Sequence, residues 1–377
     1  MKVFKLNSIF SLHEGGYLNS PQLSYETWGE LNAAKDNAIL VCHALSGTQL
    51  LTGECSSIGG EDQELWVEEL HQGWWDGLVG SGKAIDTDKY FVICANYLGG
   101  CYGSTGPRST NPETKQPYGG DFPQIRIIDQ VNAFHDLVQS LGINQLEAVI
   151  GPSVGGLIAL SYATTYADNV RKVSLFCSGF KTTALTRLIL FEQIMAIEND
   201  PHFNSGHYHN NQELPVYGLA LARMISHKTF VHLDALESRA SQKLVTDEKR
   251  LAWYPLQDNI QSYMLHQGKK FVKRFDANTY LRIIDMWSNY DPVKEAGFNT
   301  PAELLTASKA AGHKYIIFSI DSDFCFFPEE QAEIVKHLED EDIDVTHITV
   351  HSDKGHDSFL LEPRLYEPHL KYLLQGS

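Results

Sequence analysis

The sequence predicts an α/β protein in which helices flank a mostly parallel central sheet. Six short apolar runs have the composition of strands that are buried on both faces. Helical patterns lie between several of these runs, and such alternation is typical of a parallel or mixed sheet. The length of 377 residues allows one large domain with an insertion, or two domains.

The predicted strands share three properties. They are short, they are rich in β-branched residues, and their apolar residues stand on consecutive positions, as expected when both faces of a sheet are covered. They are residues 38–42 (AILVC), 90–95 (YFVICA), 146–150 (LEAVI), 172–176 (KVSLF), 315–320 (YIIFSI) and 345–350 (VTHITV).

Three segments between these runs are predicted to be helical. In residues 125–141 the apolar side chains recur every three or four positions, which places them on one helix face. Gly142 is the predicted stop of that helix. Residues 157–166 and 328–338 have similar patterns.

The alternation of strands and helices breaks between about residues 179 and 300. Patterns such as TRLILFEQIMAI and LPVYGLALARMI are helical, and no convincing strand interrupts this stretch. We therefore expect a core domain formed by residues 1–178 and 301–377, with residues 179–300 inserted as a helical domain.

Composition argues against several partners. Lys and Arg number 30 against 47 Asp and Glu, a net charge of −17, whereas nucleic acids and anionic membranes attract basic surfaces. No run of 18 apolar residues predicts a transmembrane helix, and the N-terminus lacks the pattern of a signal peptide. The six cysteines form no C-x-x-C pair, which favours buried free thiols in a cytoplasmic protein.

The strongest local signal is the sequence GPSVGG at residues 151–156. It matches G-x-S-x-G, with a predicted strand before it and a predicted helix after it. In that context the serine stands on a sharp strand-to-helix turn and acts as a nucleophile. Ser153 is therefore the candidate nucleophile, and the alternative is a glycine-rich turn whose serine only caps the helix.

A serine nucleophile needs a histidine base and an acid that orients it, and in this type of fold they follow the serine in the order acid, then histidine. The run YIIFSI leads into Asp321 and Asp323, and the run VTHITV leads into His351 and His356. We favour Asp323, which lies further into its loop and can bend back, and His356, which lies in a loop before an apolar run.

Two backbone N–H groups are expected to form an oxyanion hole. One belongs to Val154, the residue after the nucleophile, and the other to the loop that follows an earlier strand. The loop HALSG at 43–47 fits that place, and Leu45 is the candidate donor. His43, in the same loop, is expected to make a structural hydrogen bond.

Two other patterns carry less weight. Residues 77–84 (GLVGSGKA) nearly spell a phosphate-binding loop, but Ala84 replaces the hydroxyl residue that binds Mg²⁺. His202, His207 and His209 cluster in a polar loop without obvious supporting carboxylates. We therefore expect no metal site and no permanently bound cofactor.

With these motifs in place, the whole chain resembles the homoserine O-acetyltransferase family of the α/β-hydrolase fold. The most diagnostic segment is NYLGGCYGSTGP, which general esterases lack. The matching stretches are HALSG (43–47), WWDGLVGSGKAIDTDKYFVICANYLGGCYGSTGP (74–107), GPSVGG (151–156), GLALAR (218–223), DSDFCFFP (321–328) and KGHDSFLLE (354–362).

The resemblance implies an acyltransferase that moves an acetyl group from acetyl-CoA to L-homoserine for methionine biosynthesis. It implies that Ser153, Asp323 and His356 form the triad, and that the insertion is a lid through which two chains form a homodimer. By the same resemblance, Arg223 would hold the carboxylate of the amino acid and Asp357 would meet its ammonium group, as their charges allow.

The sequence departs from the family pattern at three places. The elbow is GPSVGG where many members have GGSMGG, the loop is HALSG where many have HALTG, and Phe230 stands where many have a tyrosine. Related members use serine as acceptor or succinyl-CoA as donor, so both substrates stay open. A lidded carboxylester hydrolase and a non-enzymatic binding protein are the competing classes.

Overall fold

The computed structural model describes residues 1–241 and 250–375. Its strands are β1 (Lys2–Lys5), β2 (Ile9–Ser11), β3 (Tyr17–Asn19), β4 (Gln22–Trp28), β5 (Ala38–Val41), β6 (Val79–Gly80), β7 (Ile85–Asp86), β8 (Phe91–Ala95), β9 (Leu146–Pro152), β10 (Val170–Phe176), β11 (Lys314–Ile320) and β12 (Asp344–Val350).

The helices surround these strands. They are α1 (Ile127–Ser140), α2 (Val154–Thr165), α3 (Ala184–Glu198), α4 (Val216–Phe230), α5 (Leu233–Ala240), α6 (Asn259–Phe271), α7 (Ala277–Ser288), α8 (Pro292–Glu295), α9 (Pro301–Ala311), α10 (Pro328–Asp340), α11 (Ser358–Leu361) and α12 (Glu367–Gln375). None of these described helices is both long and apolar enough to cross a bilayer.

Eight strands form the central sheet, in the order β1-β4-β8-β5-β9-β10-β11-β12. Neighbouring strands from β8 to β12 pair in parallel, whereas β4 pairs antiparallel with both β1 and β8. The mostly parallel sheet predicted from the sequence is therefore confirmed. The six predicted strands are β5 and β8 to β12, each displaced by at most two residues at either end.

The consecutive apolar residues of β5 serve two separate cores. Ala38 and Leu40 pack into the larger core on one face of the sheet, and Ile39 and Val41 pack into the core on the other face. Successive side chains of a strand point to opposite faces, so an unbroken apolar run is what a doubly covered strand requires.

Strands β1 and β4, near the N-terminus, were not predicted, because the prediction relied on runs of consecutive apolar residues. Strand β1 is mostly exposed, and β4 carries polar residues on half-buried positions, so neither presents a continuous apolar run. The short pairs β2 with β3 and β6 with β7 form two further small sheets. Strands of two or three residues lack enough sequence for a periodic signal.

Helices α1 and α2 pack together beside β9 and β10. Helix α1 buries one face and ends at Ser140, two residues before Gly142, which has a φ of 72°. The predicted amphipathic helix and its glycine stop are thus confirmed. Between β10 and α9, the regular elements of the described residues are all helices, joined by loops, and one isolated bridge links Arg250 and Pro255. The division into a core domain and an inserted domain stays a prediction.

Candidate active site

Ser153 occupies a sharp turn between β9 and α2. Its φ of 56° and ψ of −127° lie in a region that L-residues rarely adopt, so the turn is strained. Hydrogen bonds hold it in place: Ser153 N–H donates to Phe176 O at 2.9 Å, and Ser178 Oγ donates to Ser153 O at 2.8 Å. The strain and its supports fit a nucleophile elbow.

Glycine is required on both sides of this turn. A Cβ on Gly151 would lie 2.0 Å from Gly155 O, and a Cβ on Gly155 would lie 2.1 Å from Cys42 O. Because no backbone can approach a real Cβ so closely, the two glycines permit strand β9, helix α2 and the end of β5 to pack together. The G-x-S-x-G pattern therefore has a steric cause here.

Asp323 and His356 lie in the loops that follow β11 and β12, and their side chains contact each other. Asp323 Oδ2 lies 2.6 Å from His356 Nδ1, and both side chains are buried. The other carboxylate oxygen accepts hydrogen bonds from the N–H groups of Cys325 at 2.7 Å and Phe326 at 3.0 Å. Two backbone donors thus fix the carboxylate, and the carboxylate fixes the imidazole ring through Nδ1.

Opposing effects set the pKa of His356. Burial by itself would lower this pKa, but the charge and hydrogen bond of Asp323, with smaller attractions from Asp357 and Glu330, raise it above its usual value. A raised pKa means that the surrounding carboxylates stabilise the protonated imidazolium. A base that takes a proton from a nucleophile needs that stabilisation.

The alternative acid and histidine from the sequence also pair, but at the surface. His351 Nδ1 lies 2.7 Å from Asp321 Oδ2, with 83% of the histidine side chain and 41% of the aspartate side chain exposed. Solvent screens such a pair, so it cannot hold an imidazole as firmly as the buried pair does.

The loop that carries Leu45 is held by the residues around His43. Tyr97 Oη donates to His43 O, and the two rings stack with centroids 3.8 Å apart. His43 Nδ1 lies 2.7 Å from Ala44 O, and burial lowers the pKa of His43 to about 4. The ring is therefore a neutral structural group at physiological pH, which confirms the structural hydrogen bond expected for it.

One cavity of about 580 Å³ brings most of the sequence-predicted residues together. Val154 begins α2 directly after the nucleophile, and Asp323 stands behind His356. The predicted residues that line the cavity are Leu45, Ser153, Arg223, His356 and Asp357.

Known proteins with similar sequences identify the family. The profile of the alpha/beta hydrolase fold matches residues 37–363. A homoserine O-succinyltransferase from Alkalilimnicola ehrlichii is 38% identical over 365 residues, which cover 96% of this chain and 91% of that protein. A homoserine O-acetyltransferase from Methanobrevibacter ruminantium is 39% identical over 365 residues, covering 96% of this chain and 70% of that protein. The chain belongs to the homoserine O-acyltransferase family.

The same fold is found in a solved structure of a protein named as an esterase. The crystal structure of esterase E22 superposes with a TM-score of 0.85 at 26% identity, covering 99% of each chain. This member of the homoserine O-acyltransferase family therefore shares its fold with that esterase over nearly the whole chain.

Arg223 of this family member lies between aromatic rings at the cavity wall. Its guanidinium carbon is 5.3 Å from the centroid of Phe230 and 4.7 Å from that of Phe271. Burial and the nearby positive charge of Arg274 lower the pKa of Arg223. An arginine stays protonated in proteins, so its buried positive charge would attract an anion in the cavity. Asp357 follows His356 in a 3₁₀ turn and lines the same cavity.

The cavity also contains a group of charged side chains that no sequence motif indicates. Glu69 Oε1 lies 2.7 Å from Arg274 Nε, and Glu69 Oε2 lies 2.5 Å from Lys270 Nζ. In the sequence, Lys270 and Arg274 are polar positions at the end of an amphipathic helix, where basic residues are ordinary. Only the folded structure shows that Arg274, three residues after α6, lies against Ser46 and Tyr102 with 13% of its side chain exposed.

The three histidines of the polar loop lie beside different carboxylates and do not share one site. His202 lies near Asp200 and Glu213, His207 near Asp121, and His209 near Asp276.

A closer group contains Cys177, Asp323 and His356, whose ligand atoms lie within 4.8 Å of one another. Burial raises the pKa of the Cys177 thiol well above its usual value. A neutral thiol is a poor nucleophile, so the arrangement favours Ser153 as the reactive group.

Proposed function

We propose that this protein is an O-acyltransferase that moves an acetyl group from acetyl-CoA to the hydroxyl of L-homoserine through an acyl-serine intermediate. The observation that carries the proposal is one cavity lined by a strained Ser153, by His356 on its buried aspartate, and by the oppositely charged Arg223 and Asp357. Curated relatives named homoserine O-acyltransferases support it.

In the first half-reaction, Ser153 Oγ attacks the thioester carbon while His356 Nε2 takes the hydroxyl proton. The N–H groups of Leu45 and Val154 stabilise the negative oxygen of the tetrahedral intermediate. The carbon–sulfur bond then breaks, and the leaving thiolate takes the proton from His356. The enzyme is left acetylated on Ser153 and CoA departs as a thiol.

In the second half-reaction, Arg223 holds the carboxylate of homoserine through parallel hydrogen bonds and Asp357 pairs with its ammonium group. His356 takes the proton of the side-chain hydroxyl, whose oxygen attacks the acetyl carbon on Ser153. Breakdown of this second tetrahedral intermediate releases O-acetylhomoserine, and the proton returns to Ser153.

The helical insertion at residues 179–300 is proposed to act as a lid. It supplies Arg223, Phe230 and Trp287 to the wall of the cavity that contains Ser153. An acyl-enzyme survives until its acceptor arrives only where water has little access, and the bulky rings of Phe230 and Trp287 would restrict that access.

Two substrate questions belong to this proposal. The curated relatives include both homoserine O-acetyltransferases and homoserine O-succinyltransferases at nearly equal identity, so succinyl-CoA is the alternative donor. L-serine is the alternative acceptor. The similarity to esterase E22 favours a second candidate function, hydrolysis of a carboxylic ester by the same triad with water as acceptor.

The deciding experiment measures release of the CoA thiol from acetyl-CoA with L-homoserine, with L-serine and with no acceptor, and then repeats the series with succinyl-CoA. We expect release that depends on homoserine and on acetyl-CoA. Steady release without an acceptor would instead establish the hydrolase. Ser153→Ala is the negative control for thiol release, because it removes only the nucleophilic oxygen.

The protein is proposed to work as a homodimer in the cytoplasm. Helix α3 exposes a stripe of apolar side chains, Leu185, Leu188, Phe191 and Met195, and Tyr217 on α4 is 73% exposed. Exposed apolar surface of this kind favours contact with another protein surface, here a second copy of the same lid. Sedimentation should show a dimer, and Phe191→Asp should dissociate it. A monomeric wild-type protein would contradict this part of the proposal.

A further inference from the structure

Arg274 joins the helical insertion to the loop that carries Leu45. Its Nη1 donates to Ser46 O at 3.1 Å, and its Nε lies 2.7 Å from Glu69 Oε1. Only 13% of the Arg274 side chain is exposed. The carbonyl that it binds is one residue beyond Leu45.

Tyr102 holds Arg274 in turn. Tyr102 Oη donates to the backbone oxygen of Arg274 at 2.5 Å. Tyr102 Oη also accepts a hydrogen bond from Arg274 Nη1 at 3.3 Å. Tyr102 is buried, and its backbone carbonyl accepts a hydrogen bond from Gln49 Nε2 at 2.9 Å. The arginine is therefore fixed at both its backbone and its side chain.

The opposite end of the loop has a matching support. Tyr97 Oη donates to His43 O, and Gly47 N–H donates to Ala44 O at 2.9 Å, which closes a tight turn. The N–H of Leu45 thus lies between two carbonyls that are each held from outside the loop. Both tyrosines belong to the segment NYLGGCYGSTGP.

We propose that Arg274 is a positioning residue that keeps the Leu45 N–H aimed at the oxyanion through its hydrogen bond to Ser46 O. The inference rests on the proposed function, because it assumes that Leu45 is an oxyanion donor. An oxyanion donor acts only at about 2.7–3.1 Å from the developing charge, and a displacement of about 1 Å can cost about 100-fold in rate.

The competing explanation is that Arg274 acts only through its ion pair with Glu69. Glu69→Gln separates the two, because it removes the carboxylate charge that pairs with Arg274. The hydrogen bond from Arg274 Nη1 to Ser46 O does not involve Glu69 and can still form in this variant.

The test uses p-nitrophenyl acetate, a donor without CoA, in the absence of an acceptor. Under these conditions Arg274 can affect neither CoA binding nor homoserine binding. We expect Arg274→Gln to lower the rate constant for acylation of Ser153 about 10- to 100-fold, with KM changed less than about twofold. Arg274→Lys, which restores a donor and the charge, should recover part of the rate, and Glu69→Gln should lower it much less than Arg274→Gln does.

Wild-type acylation rates in Arg274→Gln would overturn the inference. An equal loss in Glu69→Gln would also overturn it, because the ion pair with Glu69 would then be the cause. A defect seen with acetyl-CoA but not with p-nitrophenyl acetate would assign Arg274 to CoA contact instead. Thermal melting of each variant checks the fold. If wild-type protein releases nitrophenol no faster than Ser153→Ala, the proposed function itself fails.

Discussion

Asp323 Oδ2 lies 2.6 Å from His356 Nδ1 in a buried site, while Asp321, two residues earlier, makes a similar contact with His351 at the surface. Each pair joins the loop after β11 to the loop after β12. The two pairs differ in their surroundings, since the carboxylate of Asp323 also accepts two backbone N–H groups in the interior. The surface pair of Asp321 and His351 can therefore serve as a control in experiments on the buried pair of Asp323 and His356.

Asp323→Asn should abolish most activity, and Asp321→Asn should preserve it. The amide cannot stabilise the imidazolium, and it favours the wrong tautomer of His356, so we expect kcat for thiol release to fall by about 10⁴. The surface pair should contribute at most about 1 kcal/mol to stability, with kcat within about twofold of wild type. Equal losses in both variants, measured at matched protein concentration and confirmed fold, would contradict the assignment of the acid.

The acidic limb of acylation should lie at higher pH than that of an ordinary histidine. His356 acts as a base only when neutral, and its pKa is raised above 6.5, so the single-turnover rate should fall as the pH drops through that raised value. Without the charge of Asp323, burial dominates and the limb should move to lower pH. Thiol release from acetyl-CoA, followed from about pH 5 to pH 9, gives the position of the acidic limb in wild type and in Asp323→Asn. An unmoved limb in the variant would be evidence against His356 as the titrating base.

Arg223→Ala should separate the two half-reactions. Its guanidinium is proposed to hold the acceptor, so the KM for homoserine should rise by about 100-fold, corresponding to about 3 kcal/mol for a charged hydrogen-bonded pair. The burst of thiol from acetyl-CoA alone should persist. Arg223→Lys keeps the charge but loses the paired donors, so its KM for homoserine should lie between that of wild type and that of Arg223→Ala. Loss of the burst in Arg223→Ala would remove Arg223 from the acceptor site.

The stability of the protein should fall as the pH rises through the titration of Glu330. Burial raises the pKa of this buried carboxyl from 4.5 to about 7. Between these values the folded state keeps a proton that the unfolded state has lost. The contribution of Glu330 to stability is therefore fully present below pH 4.5 and declines by about 3 kcal/mol as the pH rises to about 7.

Glu330→Gln tests this pH dependence directly. The glutamine keeps the oxygen that accepts the hydrogen bond from Phe327 N–H at 3.0 Å, but it cannot ionise. Urea unfolding at pH 5 and pH 8 should show a smaller difference in this variant than in wild type. Glu329→Gln, on the exposed side of the same helix, is the matched control and should behave as wild type.

The parts of the site that the sequence predicts are those with a local cause. The elbow at Ser153 needs two glycines because strand, turn and helix approach within the contact distance of a Cβ, and that requirement is visible as a motif. Strand β11 is buried, so its end, and hence the loop with Asp323, could be located from an apolar run. The identities of the donor and acceptor have no such local signature.

Other parts depend on contacts between distant segments. The choice between Asp321 and Asp323 follows from which side chain points inward after β11, and only the packed loop shows that Asp323 meets two backbone N–H groups. The exposed strand β1 and the mixed strand β4 escaped prediction because hydrogen bonds to neighbouring strands, rather than apolar runs, keep them in the sheet.

The sequence alone determined the fold class, the elbow at Ser153 and the short set of candidate acids and histidines, because each depends on periodicity or on steric demands within a few residues. Tertiary structure decided which acid meets which histidine and placed Arg223 and Asp357 in one cavity. It also revealed Arg274 against Ser46, 228 residues apart in sequence. Contacts across such separations arise only when the sheet and the helices between β10 and α9 have packed together, so no local pattern encodes them.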